Sequence, residues 1–444
     1  MNFKIALLLF CTNLTTLSFQ AQEKFHHMLG YVDMREACIW VQSASPRKVV
    51  VQLHKKVEPK TIISYSQETS GEYTSVAHVV LKNLEPGTLY EYTIGSERQL
   101  AVDPSNAQLY SFTTQPLWQY RTDPPEFTIA TGSCAFINET AYDRPGEPYG
   151  GDYGIFQQLA AKKPNAMLWL GDNVYLREVD FASKTGIYHR YELCRFLPEL
   201  QNLMHNVANY AIWDDHDFGP NDSDGSFIHK DWTLEAFRTY WANPSYGLPG
   251  ECKDNGITTQ FSWGDIDFFL LDNRFFRVTH DLKNGATPTI LGESQINWLV
   301  AALKFSKSPF KIVTMGGQFL STNKIYENYA NWGNERQRIL DAIEANHITG
   351  VVFLSGDRHC GELSELKQSS GNVIYDLTVS PLTSKAYDMS NEKNDLRVAG
   401  TIVPERHFAT LGFSGVKGKR LMTITVFDAS GNLIYDKKIY QQEK

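Results

Sequence analysis

The sequence carries no excess of positive charge, no internal repeat, no low-complexity tract and no apolar run suited to a stable membrane span. With 42 Lys and Arg against 50 Asp and Glu there is no basic stripe, which makes duplex nucleic acid a poor ligand. Cysteine is scarce at six residues, five once Cys11 departs with an amino-terminal leader, and an odd number is consistent with one thiol reserved for another purpose. Four others could equally stay unpaired. Neither a G-x-S-x-G elbow nor a G-x-G-x-x-G turn opening a helix is present, which argues against serine-triad and dinucleotide chemistry.

What the chain does have is six short apolar runs that stop abruptly on polar residues. Phe127 to Ala130 leads into Gly132-Ser133-Cys134, Ala166 to Leu170 into Gly171-Asp172-Asn173-Val174-Tyr175, and Tyr210 to Trp213 into Asp214-Asp215-His216-Asp217. Phe268 to Leu271 leads into Asp272-Asn273-Arg274, Ile312 to Met315 into Gly316-Gly317-Gln318, and Val351 to Leu354 into Ser355-Gly356-Asp357-Arg358-His359. Runs of this length and composition are buried strands of a sheet covered on both faces, and in such sheets chemistry gathers beyond the carboxyl ends. The polar endings are therefore expected to converge.

Their inventory is a thiol, several carboxylates, two histidines, a tyrosine and arginines. It suits a dinuclear metal site, in which a bridging carboxylate and ligands from several strand ends hold two cations that clamp the attacking and leaving oxygens of a phosphoryl transfer. Asp172 and Tyr175 stand three residues apart, so one turn of backbone can aim both at one point; Asp357 and His359 are alternate positions of an extended segment. Cys134, Tyr175 and His359 suit a trivalent or borderline metal such as iron, whereas the carboxylates and Asn221 suit a harder ion such as calcium or magnesium. Singly each residue has a bland reading: Cys134 as a buried hydrophobe, Asp172 as a cap, Tyr175 as packing, Arg274 and Arg277 as structural ion pairs, and Asp222-Ser223-Asp224-Gly225 as an ordinary turn. Nothing bland, however, requires so many successive strand ends to finish in metal-binding chemistry.

Taken in order, Gly132-Ser133-Cys134, Gly171-Asp172-Asn173-Val174-Tyr175, Trp213-Asp214-Asp215-His216-Asp217, Leu271-Asp272-Asn273-Arg274-Phe275-Phe276-Arg277 and Ser355-Gly356-Asp357-Arg358-His359 resemble the PhoD-like alkaline phosphatase (alkaline phosphatase D) family of metallophosphoesterases. The resemblance covers nearly the whole mature chain. It implies ferric iron on Cys134, Asp172, Tyr175 and His359, and calcium or another divalent cation on Asp172, Asp215, Asn221 and Asp357. It also implies that His216 meets the phosphate or the leaving group, with either Asp214 or Asp215 facing the metal.

Met1 to Ala21 combines Lys4 with the apolar run Ile5 to Cys11 and a small residue at its end, the pattern of a secretory signal peptide. The twin-arginine pair common in PhoD-like enzymes is missing, so export through the general secretory route to the periplasm or medium is expected, without a transmembrane segment in the mature chain. Residues 22–115 alternate in short stretches (Ala37 to Gln42, Lys48 to Leu53, Thr74 to Leu81, Leu89 to Ile94, Leu109 to Thr113) and predict a fibronectin-like β-sandwich, with Leu84 to Tyr92 resembling a tyrosine corner. Residues 116–125, rich in proline, form a linker. From 126 to 444 buried strands alternate with helical patterns at Tyr153 to Lys163, Arg190 to His205, Lys230 to Trp241, Ser294 to Lys304 and Glu335 to Asn346, and further strands follow at Val373 to Val379, Leu421 to Phe427 and Leu433 to Ile439. The expected fold is α/β: a β-sandwich followed by two mixed sheets flanked by helices.

The expected function is that of an exported phosphoesterase. A metal-bound hydroxide attacks phosphorus, His216 assists the departing oxygen, and Arg274 with Arg277 neutralises phosphate charge. Two alternatives stand beside it: a phosphodiesterase or phospholipase D-like activity on the same site, and a glycan-binding surface protein whose α/β domain is a scaffold.

Overall fold

The computed structural model describes residues 24–102, 108–250 and 256–442; the expected signal peptide and Cys252 lie outside the described residues. The first strands are β1 (Phe25–Val32), β2 (Glu36–Ser43), β3 (Lys48–Lys55), β4 (Ile63–Glu68), β5 (Ser75–Lys82), β6 (Leu89–Gly95) and, after helix α1 (Glu97–Val102), β7 (Tyr110–Thr113). They form two antiparallel sheets of order β1-β2-β5 and β4-β3-β6-β7. The tyrosine corner is present: Tyr90 Oη accepts from the Glu85 amide at 2.9 Å.

In β2, Glu-Ala-Cys-Ile-Trp-Val-Gln-Ser, every residue after Glu36 is buried. A sandwich strand with one wet face alternates; this one is covered on both sides. Its second cover is the α/β part of the molecule. Trp40 Nε1 donates to Thr239 O at 2.7 Å, the Tyr31 amide to Ala242 O at 3.2 Å, and the Val32 amide to Tyr210 Oη at 3.1 Å. A side chain at Gly30 would collide with Ala242, so glycine is what lets the backbones approach this closely. One apolar cluster runs from Met28, Trp40 and Tyr92 through Tyr210 and Trp213 without a break.

Beyond it lie two six-stranded sheets. The first, ordered β10-β9-β8-β17-β18-β19, joins β8 (Phe127–Gly132), β9 (Ala166–Leu170) and β10 (Ala208–Ile212) in parallel to the antiparallel strands β17 (His407–Ser414), β18 (Leu421–Asp428) and β19 (Leu433–Tyr440). The second, β11-β12-β13-β14-β16-β15, has a parallel centre of β12 (Ile266–Leu270), β13 (Lys311–Thr314), β14 (Val351–Ser355) and β16 (Val373–Thr378), with β11 (Thr259–Trp263) and β15 (Glu362–Lys367) antiparallel at its edges. Register sets the strand ends level: Leu170 faces Ile212, and Leu270 pairs with Thr314, which pairs with Leu354. Whatever follows these strands is therefore delivered to one edge.

The helices are α2 (Ile155–Ala161), α3 (Lys184–Arg195), α4 (Gln201–Asn206), α5 (Asp215–Phe218), α6 (Lys230–Tyr240), α7 (Glu293–Phe305) and α8 (Gly333–Ala345). The single helix expected over Arg190 to His205 is instead broken. Its pattern is interrupted at Pro198, which opens a three-residue 3-10 turn between α3 and α4 because proline disfavours helical backbone before it and cannot donate.

Candidate active site

Asp172 follows β9, and Tyr175 completes the turn after it. Tyr175 Oη donates to Asp172 Oδ2 at 3.1 Å and stands 3.2 Å from His359 Nε2, while Cys134 Sγ lies 3.5 Å from the same Asp172 oxygen. Cys134, Asp172, Tyr175 and His359 thus meet around one point, as the sequence led us to expect. The thiol also takes Ser380 Oγ at 3.1 Å, and Ser384 Oγ donates to Tyr175 Oη at 3.0 Å. Tyr149 Oη sits 3.2 Å from His359 Nδ1 and fixes the ring.

A second focus adjoins it. Asp172, Asp215 and His216 each bring a ligand atom within 4.8 Å of the others, as do Asp214, Asp215 and Asp357, and again Asp215, Asp222 and Glu327. Asp172 belongs to both foci. Its Oδ1 accepts the His216 amide at 3.3 Å, and the His216 ring packs tilted at 31° against Tyr175 with centroids 4.3 Å apart. Asp215 Oδ2 accepts the Asp222 amide at 2.8 Å, and Asn221 lies exposed on the same loop. Asp357 and His359 go to different foci. The segment carrying them is not extended: both residues have left-handed φ, of 64° and 53°. Cys134 at 59° and Asp172 at 52° share that strain, which costs about 1–3 kcal/mol for each non-glycine residue and clusters where function demands it. Gly316, after β13, lacks a side chain where one would run into the Asp214 carboxylate.

Arg274 and Arg277 are both buried beside these acids. Arg274 Nε donates to Asp214 Oδ1 at 2.5 Å, Nη1 to Glu327 Oε1 at 2.9 Å and to Ser223 O at 3.1 Å, and Nη2 to Glu327 Oε2 at 2.6 Å, with Asp214 Oδ1 2.5 Å from Nη2 as well. No donor is left over. Arg277 pairs with Glu327 and stacks 4.5 Å over the Trp332 ring. Carboxylates thus hold Arg274 through Nε and both Nη groups, and hold Arg277 through Nη2.

Charge in this cluster is unbalanced. Burial, then repulsion from Asp215, Asp214 and Asp217, pushes Asp172 well above the carboxylate range, and burial with the neighbouring acids does the same to Asp357. Burial moves Asp214 up to about 6 against the pull of Arg274. Asp215, although burial opposes its charge, is held below the ordinary range by His216 and Arg274. Burial and Asp172 likewise raise Cys134 and Tyr175. Asp214 Oδ2 and Asp215 Oδ1 are buried with no hydrogen-bond partner. Oxygen, sulfur and nitrogen donors that repel one another, strained and aimed at common points, fit bound cations and little else.

Glu327 was not anticipated from sequence. It stands in an irregular stretch between β13 and the 3-10 turn Tyr329–Trp332, with no apolar run before it, and only the two arginines' need for a counter-charge hinted at such a residue. Tyr149, Ser380 and Ser384 were missed for the same reason: nothing local marks them.

Comparison with known proteins accords with this geometry. The family model of PhoD-like phosphatases matches residues 129–422, and a domain family of unknown function, DUF7800, matches residues 27–114. Alkaline phosphatase D of Bacillus subtilis (strain 168) is 23% identical over 342 residues, covering 65% of this chain and 54% of that protein, so the chain spans about half the length of the curated relative it matches. A solved structure of PhoD superposes with a TM-score of 0.74 at 16% identity, covering 94% of this chain and 92% of the other. A purple acid phosphatase from yellow lupin (Lupinus luteus) seeds does so with a TM-score of 0.68 at 11% identity, covering 94% and 74%. Both show the fold to be theirs, and with the family model matched over most of its length the chain belongs to the PhoD-like phosphatase family.

Proposed function

We propose that this protein is an exported hydrolase of phosphate esters that works with two cations. Ferric iron would be held by Cys134, Asp172, Tyr175 and His359, and calcium or another divalent ion by Asp172, Asp215, Asn221 and Asp357. The observation that carries the reading is Asp172, one carboxylate shared by two foci, one rich in soft donors and the other in hard oxygens. When bound, the cations supply charge to polarise a phosphoryl oxygen and to activate a water.

The chain's own residues do the rest. His216 is part-exposed, with 21% of its side chain accessible, and burial keeps its ring below the ordinary histidine range. It is placed to meet an oxygen at the mouth and to transfer a proton there. Arg274 and Glu327 fix Asp214 and the flank of Asp215, so these carboxylates keep their positions whether or not a substrate is present. Apolar packing of Phe136 against Tyr175, at 4.9 Å between rings, keeps water from the thiol side. The test is a hydrolysis panel of phosphate monoesters and diesters on protein produced with iron and calcium present. Turnover that chelation removes and metal restores supports the reading; no turnover of any ester by the metal-replete protein overturns it.

A further inference from the structure

We propose that Arg177, rather than Arg274 or Arg277, is the guanidinium that contacts the phosphoryl oxygens of the substrate. This rests on the phosphoesterase reading and assigns to it a residue that neither motif nor family order singles out.

The arginines around the cluster differ in how many of their donors are in use. Around the cluster, Arg274 is saturated by Asp214, Glu327 and Ser223, and Arg277 is paired to Glu327. Arg358 donates to Glu392 at 2.6 Å, and Arg406 to Asp152 at 2.7 Å and to Ser384 O at 2.9 Å. Arg177 differs. Only 11% of its side chain is exposed, its Nε is buried with no partner, and its guanidinium makes no hydrogen bond among the described residues. The nearest carboxylate, Glu178, is 3.9 Å away, 58% exposed, and already bonded to Arg144 at 2.6 Å. A buried Nε with no partner is unfavourable, and on a cationic side chain the group that relieves it should be an anion.

Placement points the same way. The guanidinium lies over the Phe136 ring at 5.4 Å, and Phe136 packs on Tyr175, whose ring packs at a tilt against His216. Arg177 is two residues beyond Tyr175 in sequence, its amide tied to Asp180 Oδ2 at 2.8 Å, so the loop after β9 is anchored while the side chain reaches back along the aromatic row. An anion meeting His216 at the mouth would therefore find the Arg177 guanidinium along the same aromatic row.

The experiment uses the metal-replete, full-length mature protein and inorganic phosphate as probe, with binding measured by calorimetry and by inhibition of ester hydrolysis. Arg177→Met should weaken phosphate binding about ten- to a hundredfold, the range of a hydrogen bond to a charged group, with a matching rise in KM, unchanged metal content and an unchanged melting temperature. Arg177→Lys should recover part of the loss, since it restores charge but not the planar fork. Phosphate binding in Arg177→Met equal to that of the unaltered protein would overturn the proposal, and so would loss of bound metal, which would mark the residue as structural. If the unaltered protein binds phosphate but turns over no ester, the phosphoesterase reading fails while the phosphate titration still decides the role of Arg177.

Discussion

The seam between the amino-terminal sheets and the α/β core, and the cluster at the strand ends, both bury polar groups, yet they treat them in opposite ways. At the seam the groups are mostly served by the protein itself: Trp40 by Thr239 O, Tyr92 Oη by His205 O at 2.8 Å, Asn209 Nδ2 by Leu29 O at 3.2 Å, and Gln42 Nε2 by the Glu192 carboxylate at 2.6 Å. His27 and His205 stack face to face, centroids 4.0 Å apart, and burial holds both below the ordinary histidine range, so they stay uncharged at neutral pH. At the strand ends carboxylates crowd together, oxygens go without partners and ligand backbones are strained. Depth alone therefore does not mark a site. What marks it is a crowd of mutually repelling acids and strained ligand residues, which bound cations would complete.

The most disruptive way to test that contrast is Asp172→Asn. The account expects loss of both cations and of hydrolysis beyond about ten-thousandfold, exceeding what removal of a proton-transfer group such as His216 achieves. Metal analysis with kinetics on Asp172→Asn and His216→Ala checks it, and greater residual turnover in the aspartate variant would contradict the shared role. Next in size, Arg274→Met should lower unfolding free energy by about 3–5 kcal/mol, because Asp214 and Glu327 are left buried without their counter-charge. Denaturant unfolding measures this, and a loss under about 1 kcal/mol would mean that the brace is idle.

The seam should respond to acid. The folded-state pKa of His205 is depressed to about 4 and that of His27 also lies below its unfolded value of 6.5, so the unfolded chain binds more protons between these limits. Their contribution to stability is complete above about 6.5 and falls as pH drops toward 4. Tyr92, Tyr110 and His26 face the pair and offer no anion at that pH. Thermal melts from pH 7 to 4.5 should show the decline, and His27→Phe should flatten it; an unchanged slope would locate the acid sensitivity elsewhere. Smallest of all, Tyr92→Phe should cost about 1 kcal/mol, one seam hydrogen bond, without touching hydrolysis.

Legibility in the sequence follows the same physics. The six apolar runs were visible because a strand buried on both faces is continuous in hydrophobicity, and their level register makes the polar endings converge without further information. Edge strands were not visible, since β4, Ile-Ser-Tyr-Ser-Gln-Glu, and β15, Glu-Leu-Ser-Glu-Leu-Lys, lack a clean pattern; nor was the central strand β17, whose apolar run is interrupted by Thr410 and Gly412. The double burial of β2 was in the sequence as Ala-Cys-Ile-Trp-Val, but what covers its second face is decided by residues some 200 positions away. Among site residues, those following strands could be read. Glu327, Tyr149 and Arg177 could not, since their roles arise from loops whose paths no local spacing encodes.

The central claim is that the strand-end cluster exists to hold two unlike cations. The most direct measurement is elemental analysis with visible absorption of the mature protein purified without chelator, alongside Cys134→Ser. The account predicts about one iron and at least one divalent ion per chain, with a colour from thiolate or phenolate bound to ferric iron that bleaches in Cys134→Ser. A colourless, fully active protein that contains only divalent non-redox metal, and whose Cys134→Ser variant keeps its metal, would contradict it.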